Sequence, residues 1–151
     1  MQLKSLEDTK KFSKKISKII KTGDIIFLYG EIGSGKTTFV RFFINHLENE
    51  KGIKNSEILS PTFNIVYDYK VKDIKVLHYD LYRLKNQKDI SQLGMFETSN
   101  DSIKIIEWPE LILSKPINRI DIKFKYSKQI NSRQIEILGF GKWKDYGFNE
   151  I

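Results

Sequence analysis

Apolar residues fall in three rhythms along this chain, and each predicts a different element. Near the N-terminus Phe12, Ile16, Ile19 and Ile20 recur at helical spacing with lysines between them, the pattern of an amphipathic helix lying on a core. Ser5, followed three residues later by Asp8, reads as its capping box, with Asp in place of the usual Glu; Thr22-Gly23 reads as its end. Residues 25–29 (IIFLY) form an unbroken apolar run, as in a strand covered on both faces of an α/β sheet. A second helix is expected over residues 37–47, with Phe39, Val40, Phe43 and Leu47 inward, and residues 48–57 are polar and loop-like. Residues 63–69 and 74–82 predict two strands joined at a charged turn near Lys72-Asp73. Residues 86–96 predict a short helix, and residues 103–108 another apolar strand, halted by Pro109. The last rhythm is alternation: residues 120–126 and 133–138 exchange apolar and polar positions and suit an antiparallel edge. The expected fold is therefore α/β, with a mixed central sheet, flanking helices and antiparallel late strands. With no repeat or linker, residues 1–151 are expected to form a single domain.

Composition narrows the function classes. The aromatics include ten Phe and seven Tyr, enough for a packed core rather than a disordered chain. There are no cysteines, which excludes disulfides, thiolate metal sites and cysteine nucleophiles. No apolar run approaches the roughly 20 residues of a membrane span, and residues 1–8 lack the apolar block of a secretory signal. A cytoplasmic protein without membrane association is expected. The net charge of +7 is uneven: +5 over residues 1–21, −2 over 22–114 and +4 over 115–151. Basic ends are a candidate nucleic-acid footprint. However, 22 of the 26 cations are Lys, whereas Arg is the side chain usually chosen for bidentate phosphate and base contacts. The lysines of the first helix read first as a solvated face.

Candidate chemistry sits between the first apolar strand and the second helix. Residues 30–37 (GEIGSGKT) fit G-x-x-x-x-G-K-[ST] without a mismatch, in the strand–turn–helix context that this motif requires. Gly33 and Gly35 let the backbone curl with its amide hydrogens inward, and the start of the helix adds free amides and partial positive charge. Ser34 contributes its amide to this turn. Lys36 is placed to reach the β- and γ-phosphates, Thr37 to offer its hydroxyl to Mg²⁺, and Thr38 to donate to a neighbouring phosphate. A phosphate cradle cleaves nothing without acidic help near the metal. Two carboxylates end apolar strands, Asp80 after residues 76–79 and Glu107 after residues 103–106. Either could hold Mg²⁺, directly or through water, or orient the attacking water. His78 alternates with apolar neighbours and reads as a packed or hydrogen-bonded strand residue, not a metal ligand.

Three further segments accompany the cradle in order: residues 60–63 (SPTF), 78–83 (HYDLYR) and 106–110 (IEWPE). With the early Thr9, this ordered set resembles the bacterial tRNA threonylcarbamoyladenosine biosynthesis protein family TsaE, small P-loop ATPases. The likeness runs from about Thr9 to Glu110 and more loosely through Ile137. The resemblance implies that Gly33 to Thr38 surround the phosphates of ATP, that Thr37 and Glu107 serve Mg²⁺, and that Lys36 and Asp80 support hydrolysis. It also implies that Ser60, Pro61 and Thr62 respond to the nucleotide, that Trp108 flanks the acid, and that Thr9 lies near the base. Arg133, in the last strand, is a further candidate for approaching the nucleotide, although no motif fixes it. Glu31 and Ser34 stand where the family usually has Asp and Ala, and Asp68 where Glu is common.

The implied partner is the TsaB–TsaD heterodimer, which places a threonylcarbamoyl group on adenosine 37 of tRNAs decoding ANN codons, so contact with tRNA is expected to be indirect. Two other readings share the cradle. A small-molecule kinase needs an acceptor pocket and usually an Arg-rich lid, and the chain has only Arg41, Arg83, Arg119 and Arg133, unclustered. A nucleotide-gated binding module with little turnover needs the cradle alone.

Overall fold

In the computed structural model, which describes residues 1–97, 100–127 and 132–148, the apolar run becomes a buried strand, β2 (Ile25–Tyr29), at the centre of a seven-stranded sheet. Before it come β1 (Gln2–Leu3) and α1 (Leu6–Ile19). After it come α2 (Lys36–Glu50), β3 (Val66–Val71), β4 (Ile74–Asp80), α3 (Gln87–Gln92), β5 (Ile103–Glu107), β6 (Arg119–Tyr126) and β7 (Arg133–Phe140). Single 3₁₀ turns cover Pro109–Leu111 and Gly141–Trp143. The strand order is β1-β7-β6-β2-β5-β4-β3. The four central strands β6, β2, β5 and β4 run parallel, while β3 and β7 flank them antiparallel.

The alternating late strands are not both at an edge. β6 lies beside β2 in parallel, and the rim on that side is β1, a two-residue strand invisible in the pattern. Asp121, whose polarity helped make β6 look half-exposed, is buried, and its carboxylate accepts a hydrogen bond from Arg119 Nε at 2.9 Å.

Two-residue periodicity divides the core between the faces of the sheet. On one face Ile26, Leu28, Val76, Ile105, Ile120 and Ile122 meet Phe12 and Ile16 of α1 and Phe39 and Phe43 of α2. Fully burying each such side chain is worth about 1.5–3 kcal/mol. On the other face Ile25, Phe27, Tyr79 and Ile106 meet Ile90 of α3 with Met95 and Ile112. The Ser13 hydroxyl donates to the Phe39 carbonyl at 2.8 Å and hooks α1 to α2.

The caps follow the sequence with one shift. Ser5 Oγ accepts from the Asp8 amide at 3.1 Å, but the Asp8 carboxylate returns to the Lys4 amide, not that of Ser5. Asn86 caps α3 by accepting from the Asp89 amide at 2.9 Å, and this helix is shorter than the apolar pattern predicts. α2 starts differently: its cap is Gly35 at φ +109°, with no side-chain bond to the first turn and no acidic residue in that turn. Its leading amides are left for something else.

Candidate active site

Parallel strands place their carboxyl ends along one edge, where a crevice forms. Register fixes which residues meet there. Leu28 pairs with Glu107, and Glu107 pairs with Asp80, so both acids emerge beside the turn that leaves β2. The Trp108 amide donates to the Leu28 carbonyl at 3.2 Å and fastens the end of β5 to the start of that turn.

The turn is built from left-handed glycines. Gly30, Gly33 and Gly35 have φ of +138°, +74° and +109°, a region that L side chains rarely adopt. Gly30 is also sterically required, since a Cβ there would collide with the Phe124 carbonyl oxygen and lie 2.8 Å from Ser34 Oγ. Outside the turn, carbonyls are pulled away from its centre. Arg133 donates from Nε to the Ser34 carbonyl at 3.1 Å and from a terminal nitrogen to that of Gly33 at 3.3 Å. The Tyr126 hydroxyl donates to the Ile32 carbonyl. Tyr126 and Arg133 are cross-strand partners on β6 and β7, and the guanidinium lies 4.7 Å from the phenol ring centre. This pair holds the turn through three of its carbonyls, while the Ser34 amide closes it on the Glu31 carbonyl at 3.2 Å.

Beside the cradle, Leu3, Lys4, Leu6, Thr9, Thr38 and Phe124 line a cavity of about 490 Å³ that also reaches Gly33, Ser34, Gly35 and Arg133. The N-terminal strand β1, held on β7, forms one wall. Thr9 thus lines the same cavity as the glycine turn.

Lys36 is almost fully buried. Its ammonium donates to the carbonyls of Gly30 at 2.6 Å and Glu31 at 3.0 Å and lies 4.0 Å from the ring centre of Trp108. Burial pushes its pKa below the ordinary lysine value, while Glu107, Asp80 and Glu110 act in the opposite direction. Trp108 adopts φ +57°, unusual for a bulky residue, and its indole also lies against Tyr82 with centroids 4.9 Å apart.

The Thr37 hydroxyl donates to Glu107, with Oε1 at 2.9 Å and Oε2 at 3.2 Å. Oε1 also meets His78 Nε2 at 2.8 Å, and both His78 and Glu107 are buried. Asp80, equally buried, accepts on Oδ2 from Thr62 at 2.6 Å and from Ser60 at 3.2 Å, and on Oδ1 from the Tyr82 amide at 3.0 Å. Ser60 and Thr62 hydroxyls are 2.8 Å apart, and the Pro61 carbonyl accepts from the Ile65 amide. Ile65 is held at φ +68°, and its carbonyl accepts from the Asp80 amide at 2.9 Å. The segment 60–65 is thus tied to Asp80 at both ends.

This donor set suits a phosphate chain and a hard cation. Thr37 and Glu107 offer neutral and anionic oxygen at one point, the chemistry Mg²⁺ prefers when phosphate and water complete its shell. The charges agree: one lysine faces two buried carboxylates, so a cation between the acids and an anion would offset the excess of negative charge.

A protein-family model described as "Threonylcarbamoyl adenosine biosynthesis protein TsaE" matches residues 3–135. The chain belongs to the TsaE family. A Rickettsia felis protein named tRNA threonylcarbamoyladenosine biosynthesis protein TsaE is 40% identical over 124 residues, covering 80% of this chain and 70% of the relative. A protein of the same name from Aquifex aeolicus is 36% identical over 109 residues, covering 72% and 74% of the two chains. The crystal structure of Bacillus subtilis YdiB superposes with a TM-score of 0.73 at 26% identity, covering 94% of this chain and 85% of that one.

All the TsaE residues singled out from sequence converge on this edge of the sheet, in two groups. Thr9, Gly33, Ser34, Gly35, Thr38 and Arg133 share the cavity. Lys36, Thr37, Asp80, Glu107, Trp108 and the segment 60–62 lie at the strand ends. Sequence reasoning missed Tyr126, which sits in no motif and reaches the turn with its own hydroxyl beside its cross-strand partner Arg133. It also left His78 without a partner, and the partner is Glu107.

Proposed function

We propose that this chain is a Mg²⁺-dependent ATPase that takes part in threonylcarbamoyl modification of adenosine 37 in ANN-decoding tRNAs, acting through the TsaB–TsaD complex. The observation that carries the reading is the hydrogen bond of Thr37 to Glu107 at the head of the glycine cradle, with Lys36 buried beside it. The names of the relatives support the pathway.

In this reading ATP is the substrate. Its base and ribose occupy the cavity beside Thr9, and its phosphates enter the turn between Gly33 and Thr38. Lys36 exchanges its two carbonyl partners for phosphate oxygens, whose charge opposes the effect of burial on its pKa. Thr37 and Glu107 would hold Mg²⁺, which would supply neutralising charge at the phosphoryl group being transferred. Asp80 orients the attacking water once Ser60 and Thr62 release its carboxylate. Nucleotide state is thereby passed to the 60–65 segment. That segment carries Phe63, 81% exposed, with Arg83 4.9 Å from its ring centre, at a surface open to a partner.

Transfer to a small acceptor fits less well, because two of the four guanidiniums are committed elsewhere. Arg119 is bound to Asp121 and Arg133 to the turn carbonyls. Phosphate release from Mg-ATP, measured with and without TsaB–TsaD, tests the proposal. Wild-type protein is expected to release phosphate and Lys36→Ala protein to lose that activity together with support of the modification. Undiminished hydrolysis and modification with Lys36→Ala would refute it.

A further inference from the structure

His78 and Asp80 are two residues apart on β4, so they point to the same face of the sheet, and Glu107 is paired with Asp80 on the neighbouring strand. His78 therefore reaches Glu107 diagonally, one strand repeat deeper than Asp80. Its ring is fully buried, with Nε2 2.8 Å from Oε1 of Glu107. A carboxylate only accepts, so Nε2 carries the proton and donates. Nδ1 has no hydrogen-bond partner among the described residues, so the contact with Glu107 is what orients this ring.

The two donors to Glu107 differ in what they do when a cation arrives. The Thr37 hydroxyl sits within reach of both carboxylate oxygens and is itself a candidate metal ligand, so its donation competes with metal binding. His78 is no part of the cradle and keeps its hold on Oε1.

We infer that His78 is a positioning residue for Glu107: its Nε2–H fixes the carboxylate for the metal, and so sets metal affinity rather than nucleotide affinity. The inference rests on Glu107 being a metal ligand in the proposed function. Donors behind metal-binding groups typically change metal affinity by about 10–100-fold.

The test is Mn²⁺ titration by electron paramagnetic resonance with a saturating non-hydrolysable ATP analogue, beside calorimetry of the same analogue in EDTA. His78→Leu and His78→Asn are expected to weaken Mn²⁺ binding by about 10–100-fold while metal-free nucleotide affinity stays within about twofold. His78→Gln, whose amide nitrogen reaches about as far as Nε2, is expected to restore most of that loss. Wild-type Mn²⁺ affinity in the Leu and Asn variants overturns the inference. So does a Gln variant no better than Leu, or a parallel fall in metal-free affinity. Should the Leu and Asn proteins not fold, ¹⁵N resonances of the wild-type imidazole decide: Nε2 must shift when Mg²⁺ joins the nucleotide complex, and an unmoved resonance overturns the inference. Wild-type protein that takes up neither nucleotide nor Mn²⁺ overturns the functional reading itself, and this inference with it.

Discussion

Gly30 and Gly35 belong to one turn and share a left-handed backbone, yet an added methyl group should damage different properties at the two positions. At Gly35 a Cβ meets nothing within 4 Å, so alanine there pays only for the backbone at φ +109°. That conformation costs an L residue about 1–2 kcal/mol. For a chain of this length it lowers Tm by about 2–8 °C. At Gly30 the same kind of backbone cost is joined by collision with the Phe124 carbonyl oxygen and crowding of Ser34 Oγ. The carbonyl belongs to β6 and cannot swing aside as a side chain could. Overpacking of this kind typically adds about 1–3 kcal/mol. Gly30→Ala should therefore lose about 2–5 kcal/mol, a large part of a domain's usual 5–15 kcal/mol. Nucleotide affinity should reverse the ranking per unit of stability lost. The open space beside Gly35 is where the phosphates are expected, so Gly35→Ala should weaken Mg-ATP binding at least tenfold while the protein stays folded. Urea denaturation and calorimetry with Mg-ATP measure the two effects separately. A Gly35→Ala protein that binds Mg-ATP like the wild type, or a Gly30→Ala protein of undiminished stability, would refute the reasoning.

Four other expectations follow from the same geometry. Ser34 buries a hydroxyl that has no hydrogen-bond partner among the described residues, so Ser34→Ala should raise stability by about 1 kcal/mol in urea denaturation and leave Mg-ATP affinity within about twofold. Arg133→Ala removes charge-assisted bonds to two turn carbonyls and should cost about 1–2 kcal/mol; its effect on nucleotide affinity should be non-additive with Tyr126→Phe in a double-mutant cycle. Asp80→Asn keeps the shape but weakens acceptance from Thr62 and Ser60, so phosphate release should fall at least tenfold with Mg-ATP affinity little changed, as calorimetry would register. Tyr29, Tyr69 and Tyr79 have phenols raised above the usual value, chiefly by burial. The unfolded chain thus releases those protons first, and stability should fall as pH rises above about 10, followed by absorbance of phenolate at 295 nm together with circular dichroism.

Legibility differed with the physics behind each feature. The cradle could be read because glycine, lysine and threonine spacing within one turn is a local matter, and the structure brings those residues together in the turn that opens α2. Asp80 and Glu107 could be named because each follows a run of apolar strand residues. Their mutual pairing is a matter of parallel register between strands 27 residues apart in sequence, which no local pattern carries. The alternation of β6 suggested an edge because its polar positions include Asp121, yet that carboxylate is buried and accepts from Arg119 and Tyr29. Strand β1 is two residues long and has no periodicity to detect. Tyr126 was hidden for a related reason, since its role depends on a cross-strand neighbour and on a turn 94 residues away.

The stacking of Lys36 on Trp108 gives the protein a reporter of its own. The chain has two tryptophans, and the other, Trp143, is buried against Phe148 and the ring of the exposed Tyr146, beside the C-terminal end of β7. Drawing the ammonium off the Trp108 ring toward a phosphate would remove a positive charge from one face of a chromophore, whereas Trp143 lines no part of the cavity beside the cradle. A change in ultraviolet emission on adding ligand is therefore expected from a single indole, so that filling of the cradle could be timed in a stopped-flow instrument without attaching a dye.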